Sequence, residues 1–369
     1  MSGRRILVTG ADGFIGRNLC VRLCELGFEV LPVTRQAGDL EAATGVADAV
    51  VHLAGSNRPT DPAEFMAINH DLSARLGAAI VAAGRPIPLI VASTQKVSED
   101  SEYGRSKLLG ELALVNASAA ESGSPTHVFR LPNVFGKWSR PNYNSGVATF
   151  CHNIARGLPI TIHDPAAPLQ LVYIDDVVEA FVRVLEAPET PHIFKTVEPV
   201  YETTVGAVAD AIRGFRADRD ENLIANVGTG LIRALYATYV SFLPPDEFAY
   251  PIASHRDPRG AFSEMLKTRT AGQFSYFNAL PGVTRGGHYH HTKTEKFLVV
   301  HGRARFRFRN ILTDERHEIE TSADEPVVVE TIPGWSHDIT NIGDDVMVSL
   351  LWANELFDRA RPDTVGAPV

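Results

Sequence analysis

An apolar run, Ile6-Leu7-Val8, leads directly into Thr9-Gly10-Ala11-Asp12-Gly13-Phe14-Ile15-Gly16, and a helical apolar pattern starts at Phe14. This junction restricts the fold more than any other stretch of the chain. Three glycines spaced G-x-x-G-x-x-G let the backbone turn tightly. They also let a pyrophosphate approach the helix N-terminus, where free N–H groups and the helix dipole favour negative charge. Glycine spacing alone is unspecific. With a strand before it and a helix after it, the segment is a predicted dinucleotide loop, with Gly10, Gly13, Phe14, Ile15 and Gly16 as cofactor-binding residues. The plainer alternative is a tight turn without a ligand.

The pattern continues. Strand-like runs at residues 29–34, 49–54, 89–93 and 128–131 alternate with helical ones at 14–26, 63–83 and 103–120. Such alternation predicts an α/β, Rossmann-like, doubly wound parallel sheet covered on both faces. The character changes near "FLPPDEF". Beyond it "FLVV", "RARFRFRN", "PVVVET" and "VMVSLLWA" read as short strands between glycine-marked turns, so an all-β domain follows. The predicted division is residues 1–245 and 246–369, with the boundary inside 244–251. At 369 residues and 44% hydrophobic content the chain can fill more than one core.

Net charge is −9, from 44 acidic and 35 basic side chains, which argues against a nucleic-acid surface. Cys20, Cys24 and Cys151 are too few, and odd in number, for a disulfide framework, so a reducing compartment is expected. Cys20 and Cys24, four apart on a predicted helix, read as core-filling thiols rather than a metal or redox pair. "MSGRR" carries no signal pattern and no apolar run approaches about 18 residues, so neither secretion nor a membrane span is expected. The expected location is the cytoplasm.

The second strand ends in "VLPVTR". An acidic residue there usually bonds the ribose of NAD; Arg35 instead suits a 2′-phosphate, so NADPH is predicted. A solvated surface arginine is the alternative. In "EYGRSKLLGE", Tyr103 and Lys107 share one helical face. An ammonium beside a phenol favours the phenolate, which suits a tyrosine that protonates a carbonyl oxygen as hydride reaches carbon.

With these residues in view, "TGADGFIG", "VVHLAG", "VASTQ", "YGRSK", "RLPNVFG" and "LVYIDDVVEAF" resemble, in order, the extended short-chain dehydrogenase/reductase family in its nucleotide-sugar branch. The resemblance implies a Ser/Thr–Tyr–Lys site acting with NAD(P)H. Thr94 is then the catalytic hydroxyl, with Ser93 as the alternative and as a substrate contact. Leu53, Ala54 and Gly55 would join Tyr103 and Lys107 on the cofactor, Asp39 and Leu40 would lie at its adenine, and Asn133 at the substrate. One feature departs from the family: only eight residues separate Thr94 from Tyr103. The connecting loop is trimmed, so the mouth of the site is open or closed by another element.

The second half carries Gly282-x5-His288-x-His290-x4-Glu295-x6-Gly302, then Pro333-Gly334-x2-His337-x3-Asn341. Residues two apart on a strand share a face, so His288 and His290 point together while His291 points away. Glu295 and His337 can converge on them from neighbouring strands. Three imidazoles and a carboxylate suit a divalent transition ion, zinc being the one predicted. An ordinary strand with incidental histidines is the alternative. The paired blocks resemble the cupin family over residues 251–356, which implies a jelly-roll barrel with an internal metal. "RGGHYH" resembles the R-G-x-H segment of the sugar-nucleotide keto-epimerase cupins. There the matching histidine is a base, and Arg285 becomes a substrate contact. His288 is therefore ligand or base. Arg303, Arg305, Arg307 and Arg309 alternate with Ala304, Phe306 and Phe308, giving a basic face that is either solvated or turned to a diphosphate or a dimer contact.

A 4-keto group acidifies the C3 hydrogen of a hexose, so epimerisation at C3 and hydride delivery to C4 form consistent consecutive steps. The whole chain resembles the bifunctional enzymes of bacterial capsular and O-antigen polysaccharide synthesis. That resemblance implies C3 epimerisation of a UDP-2-acetamido-2,6-dideoxy-4-hexulose in the cupin. NADPH reduction at C4 then gives UDP-2-acetamido-2,6-dideoxy-L-talose. A homodimer is expected by the same analogy. Two other readings stand beside it: a reductase whose cupin only binds or dimerises, and an oxygenase cupin joined to an unrelated reductase.

Overall fold

The structure is a computed structural model. It describes residues 3–187, 193–248, 250, 252–291, 293–311, 313–360 and 362–369. Pro251, at the far edge of the expected boundary, lies outside the described residues. Two compact units are present: Met1–Arg213 with Arg233–Pro244, and Gly214–Ile232 with Pro245–Val369. The chain thus crosses between units three times, where one crossing near 245 was expected. Residues 214–232 belong with the second unit because Leu223–Ile224 pairs with the strand Gly260–Thr268, and Asp218 bonds Arg269 at 2.6 Å.

In the first unit β1 (Arg5–Thr9), β2 (Glu29–Val33), β3 (Ala49–His52), β4 (Leu89–Thr94) and β5 (Thr126–Leu131) lie in the order β2-β1-β3-β4-β5, followed by Ile193–Lys195. All these pairs are parallel. β1, β3, β4 and β5 are buried almost throughout, which explains their continuous apolar runs: helices cover both faces. Leu7, Val50, Leu76, Ile80, Leu89 and Leu114 fill the core on one side. Strand order reverses between β1 and β3, so a ligand crevice opens at their carboxyl ends, by Thr9 and His52.

Two expectations need correction. The helical run at 63–83 is broken: Ala63–Met66 and Leu72–Ala82 flank a π turn at Ala67–Asp71, which buries Asn69. Cys20 and Cys24 are not core thiols. Cys24 is exposed and Cys20 half-buried, because the helix Phe14–Glu25 turns Gly16, Asn18, Leu19 and Leu23 inward instead.

Eight strands of the second unit build its two facing sheets: Gln273–Ala279, Thr284–Tyr289, Glu295–His301, Arg303–Asn310, Arg316–Ser322, Val328–Glu330, Trp335–Asn341 and Met347–Ala353, with Leu223–Ile224, Ser254–Asp257, Gly260–Thr268 and Val365–Gly366 added at their edges. Counted in that order, one sheet runs first-eighth-third-sixth and the other fifth-fourth-seventh-second. These are the two Greek keys of a jelly roll. Phe277, Phe297, Phe306, Phe308, Ile339 and Met347 pack between the sheets. The strand Trp335–Asn341 is buried from Ser336 to its end. The arginine face is not a free basic surface. Arg303 lies 3.7 Å from Glu320, Arg307 bonds Asp338 at 3.0 Å, and Arg309 donates to the Pro368 carbonyl at 2.9 Å.

Candidate functional site

The crevice of the first unit is one continuous cavity of about 2240 Å³. Gly10, Gly13, Phe14, Ile15, Gly16, Arg35, Asp39, Leu40, Leu53, Ala54 and Gly55 line one part of it; Ser93, Thr94, Tyr103, Lys107 and Asn133 line another. The glycines are needed sterically. Gly10 has φ +67°, and a Cβ there would sit 2.8 Å from the Ala54 nitrogen; one at Gly16 would sit 2.2 Å from the Gly10 carbonyl oxygen. Asp39 caps the next helix by accepting from Ala42 N at 2.9 Å. Arg35 is exposed, with Glu64 at 3.8 Å.

β4 and the helix Glu102–Asn116 bring the expected triad together. Thr94 accepts from Lys96 N, so its hydroxyl proton is free to bond Tyr103. Ser93, one residue earlier, has a buried hydroxyl with no hydrogen-bond partner among the described residues, and it lines the same cavity. The Tyr103 phenol departs from expectation. Burial raises its pKa, opposed only by the Thr94 hydroxyl, because Lys107 is aimed elsewhere: its Nζ donates to the Ala92 carbonyl at 3.0 Å. Burial also pushes the Lys107 ammonium down to about 8, with Glu111 pulling the other way.

A buried hydrogen-bond chain that sequence reasoning missed supports this site. Thr9 Oγ1 accepts from Leu53 N and Ala54 N, so it donates to His52 Nδ1 at 2.8 Å. His52 Nε2 then donates to Ser73, and Ser73 to the Asn69 carbonyl. The Asn69 amide bonds both backbone groups of Ser56 and the Ser106 hydroxyl, which donates to the Tyr103 carbonyl. Burial, with the Lys107 charge, pushes His52 down to about 3, so it stays neutral. The cofactor-loop segment and the helix of Tyr103 are thereby tied through Asn69. Only the π turn places that side chain inward, and no spacing rule announces a π turn.

In the second unit His288, His290, Glu295 and His337 offer ligand atoms that all lie within 4.8 Å of one another. His288 sits directly opposite His337 across two strands, beside a bulge at Gly286–His288. His291 is exposed and outside the cluster. His290 Nδ1 faces the Asp363 carbonyl and therefore carries a proton, leaving Nε2 3.3 Å from Glu295 Oε2. His337 Nδ1 faces the Trp335 carbonyl; its buried Nε2 lies 3.4 Å from the same Glu295 oxygen without hydrogen-bond alignment. Three imidazoles and a carboxylate with ligand atoms this close together, one of them a buried ring nitrogen without a hydrogen-bond partner among the described residues, form a donor set that fits a divalent metal. Burial opposes ionisation of Glu295, but the two imidazoles and the Lys293 ammonium, 3.5 Å from Oε1, hold its carboxyl well below the usual range. Burial, then His337 and His290, push His288 down to about 4, which keeps its lone pair free. Arg285 stacks over Phe277 at 5.3 Å, with its Nε buried and unpaired among the described residues.

Residues 6–196 match the model of the NAD dependent epimerase/dehydratase family. The chain belongs to that family. Residues 255–365 of this family member match a second model, the polysaccharide biosynthesis C-terminal domain. It is 53% identical over 368 residues to a UDP-2-acetamido-2,6-beta-L-arabino-hexul-4-ose reductase of Pseudomonas aeruginosa, covering 99% of each chain. The capsular polysaccharide assembling protein CapF of Staphylococcus aureus has the same fold, with TM-score 0.91, 39% identity, and 99% of this chain covering 100% of that one. CapF with the inhibitor 3-isopropenyl-tropolone gives 0.86 and 36%, over 99% of this chain and 100% of that one. The resemblance read from the motifs therefore holds along the whole chain. No helix among the described residues is long and apolar enough to cross a membrane.

Proposed function

We propose that this chain is a bifunctional nucleotide-sugar enzyme. Its jelly-roll unit, read as a cupin, inverts C3 of a UDP-2-acetamido-2,6-dideoxy-4-hexulose; its first unit reduces the C4 ketone with NADPH, giving UDP-2-acetamido-2,6-dideoxy-L-talose. The observation that carries this reading is the coexistence of two built sites in one chain. One is a hydroxyl–phenol–ammonium group in a dinucleotide crevice; the other is a three-imidazole, one-carboxylate cluster, buried but for half-buried His288. The relative's name, a reductase of a UDP-hexulose, supports the substrate class.

NADPH, when bound, supplies the hydride, and a divalent ion, zinc in this reading, polarises a carbonyl or holds the barrel. The protein's own groups do the rest. His290, Glu295 and His337 hold the ion. His288, neutral and half-buried, either joins them or takes the C3 proton, and the proton returns to the opposite face. Arg285 holds the anionic part of the sugar nucleotide. In the first unit Tyr103 gives its proton to the C4 oxygen as hydride reaches C4, Thr94 orients the phenol, and Lys107 carries the positive charge near Gly55. Ser93 and Asn133 contact the sugar. We keep the homodimer and the cytoplasm in this reading; three free cysteines accord with a reducing compartment.

Incubation with a UDP-4-keto-6-deoxy-N-acetylhexosamine and NADPH in heavy water tests both units together. The expected product carries solvent deuterium at C3 and protium from NADPH at C4. A reduced product without C3 label would reject epimerisation. For Arg35, a charge-assisted contact worth about 1.5–3 kcal/mol predicts that Arg35→Ala raises the KM for NADPH about tenfold or more and leaves that for NADH unchanged. Equal changes for both cofactors would reject a 2′-phosphate contact.

A further inference from the structure

We propose that residues 363–368 form a strap that positions the metal-binding cluster, with Asp363 as its positioning residue. This rests on the metal reading above. Three of the four cluster residues lie within strands: His288 in Thr284–Tyr289, Glu295 in Glu295–His301 and His337 in Trp335–Asn341. His290 lies one residue beyond its strand, so sheet register does not fix it. Asp363 does so by three bonds. Its carbonyl faces His290 Nδ1, Oδ1 accepts from His291 N at 2.9 Å, and Oδ2 accepts from Lys293 N at 2.8 Å. One residue thus settles which ring nitrogen of His290 carries the proton and pairs backbone amides on both sides of residue 292.

The next residue extends the clamp. Thr364 Oγ1 accepts from Lys293 Nζ at 3.3 Å, and that buried ammonium lies 3.5 Å from Glu295 Oε1, the oxygen turned away from the imidazoles. Lys293 so balances one carboxylate oxygen while the other faces the cluster. The strap is itself anchored. Val365 and Gly366 pair with Tyr289 and His288; Ala367 N donates to the Gly287 carbonyl at 2.9 Å. Ser336 Oγ donates to the Ala367 carbonyl at 2.5 Å, and Arg309 donates to the Pro368 carbonyl. It is therefore joined to both ligand-bearing strands of that sheet, Thr284–Tyr289 and Trp335–Asn341. A carbonyl behind a ligating imidazole fixes its tautomer and ring plane, and loss of such support lowers metal affinity about 10–100-fold.

The test uses the full-length protein, zinc(II) competed against a chromophoric chelator, and 15N NMR of the imidazoles in metal-free protein. Asp363→Ala is expected to weaken zinc about 10–100-fold, and deletion of residues 362–369, which also removes the carbonyl, to weaken it further. Asp363→Asn, which keeps one acceptor oxygen, is expected to fall between Asp363→Ala and the natural protein. In metal-free natural protein His290 is expected as the Nδ1–H tautomer, with a mixture in Asp363→Ala. The strap is rejected if Asp363→Ala binds zinc within about twofold of the natural protein, or if the tautomer is unchanged while only the melting temperature falls. If Asp363→Ala does not fold, Asp363→Asn decides by the same two readouts. If the natural protein itself fails to hold zinc, the metal reading falls, and the His290 tautomer alone decides the strap.

Discussion

Tyr103→Phe is expected to lower kcat for C4 reduction by about 10²–10⁴-fold while leaving NADPH affinity within about threefold. The phenol lines the same cavity as the glycine loop, with the Thr94 hydroxyl favouring its ionisation. Phenylalanine keeps the ring, which packs 6.0 Å from Phe65, so the fold is undisturbed. Because burial raises the Tyr103 pKa, the donor stays protonated through neutral pH. The Lys107 ammonium is the group that titrates first, at about 8. Reduction is therefore expected to run level from neutral pH to about 8 and to fall above it, as the positive charge beside Ala92 is lost. Single-turnover oxidation of NADPH gives the rate, and fluorescence titration the affinity. A Tyr103→Phe enzyme keeping more than about a tenth of the rate would remove the phenol from the proton path.

The second large effect concerns the barrel. His337→Ala is expected to lose bound metal and to reduce solvent exchange at C3 to background. Reduction of a ketone already inverted at C3 is expected to continue, since the first unit carries its own complete group. His337 cannot be replaced by a neighbouring group: it lies opposite His288 on a buried strand, and its Nε2 has no hydrogen-bond partner among the described residues. His288→Asn then separates the two roles open to that residue. Exchange lost with metal retained makes it the base; both lost makes it a ligand. Elemental analysis and deuterium incorporation at C3 give the readouts. Exchange that survives in metal-free His337→Ala would leave the ion a structural part only.

Much of this was legible because the spacing is local. Gly10 and Gly16 are announced by their spacing between strand and helix, and Tyr103 and Lys107 by one helical turn, whereas His290 joins His288 in one cluster although its strand ends at Tyr289. Ser93 and Thr94 are alternatives in the sequence and both line the cavity; the Thr94 hydroxyl is the one that favours ionisation of Tyr103. Orientation was less legible. Lys107 falls at the expected position yet points to the Ala92 carbonyl rather than lowering the phenol's pKa. The arginine face of Arg303–Asn310 gave no sign that Glu320 and Asp338 would answer it from adjoining strands. Asn69 depends on a π turn inside an otherwise regular helical pattern. Asp363 stands some seventy positions from His290, and only sheet pairing at Val365–Gly366 brings it there.

The buried strand Trp335–Asn341 has one more consequence. An antiparallel strand commonly keeps one face wet, but this one is enclosed from Ser336 to Asn341. Its backbone amides belong among the slowest in the unit to exchange with solvent, since local opening there approaches global unfolding. The His291 and Lys293 amides, held by Asp363, report instead on that side-chain clamp.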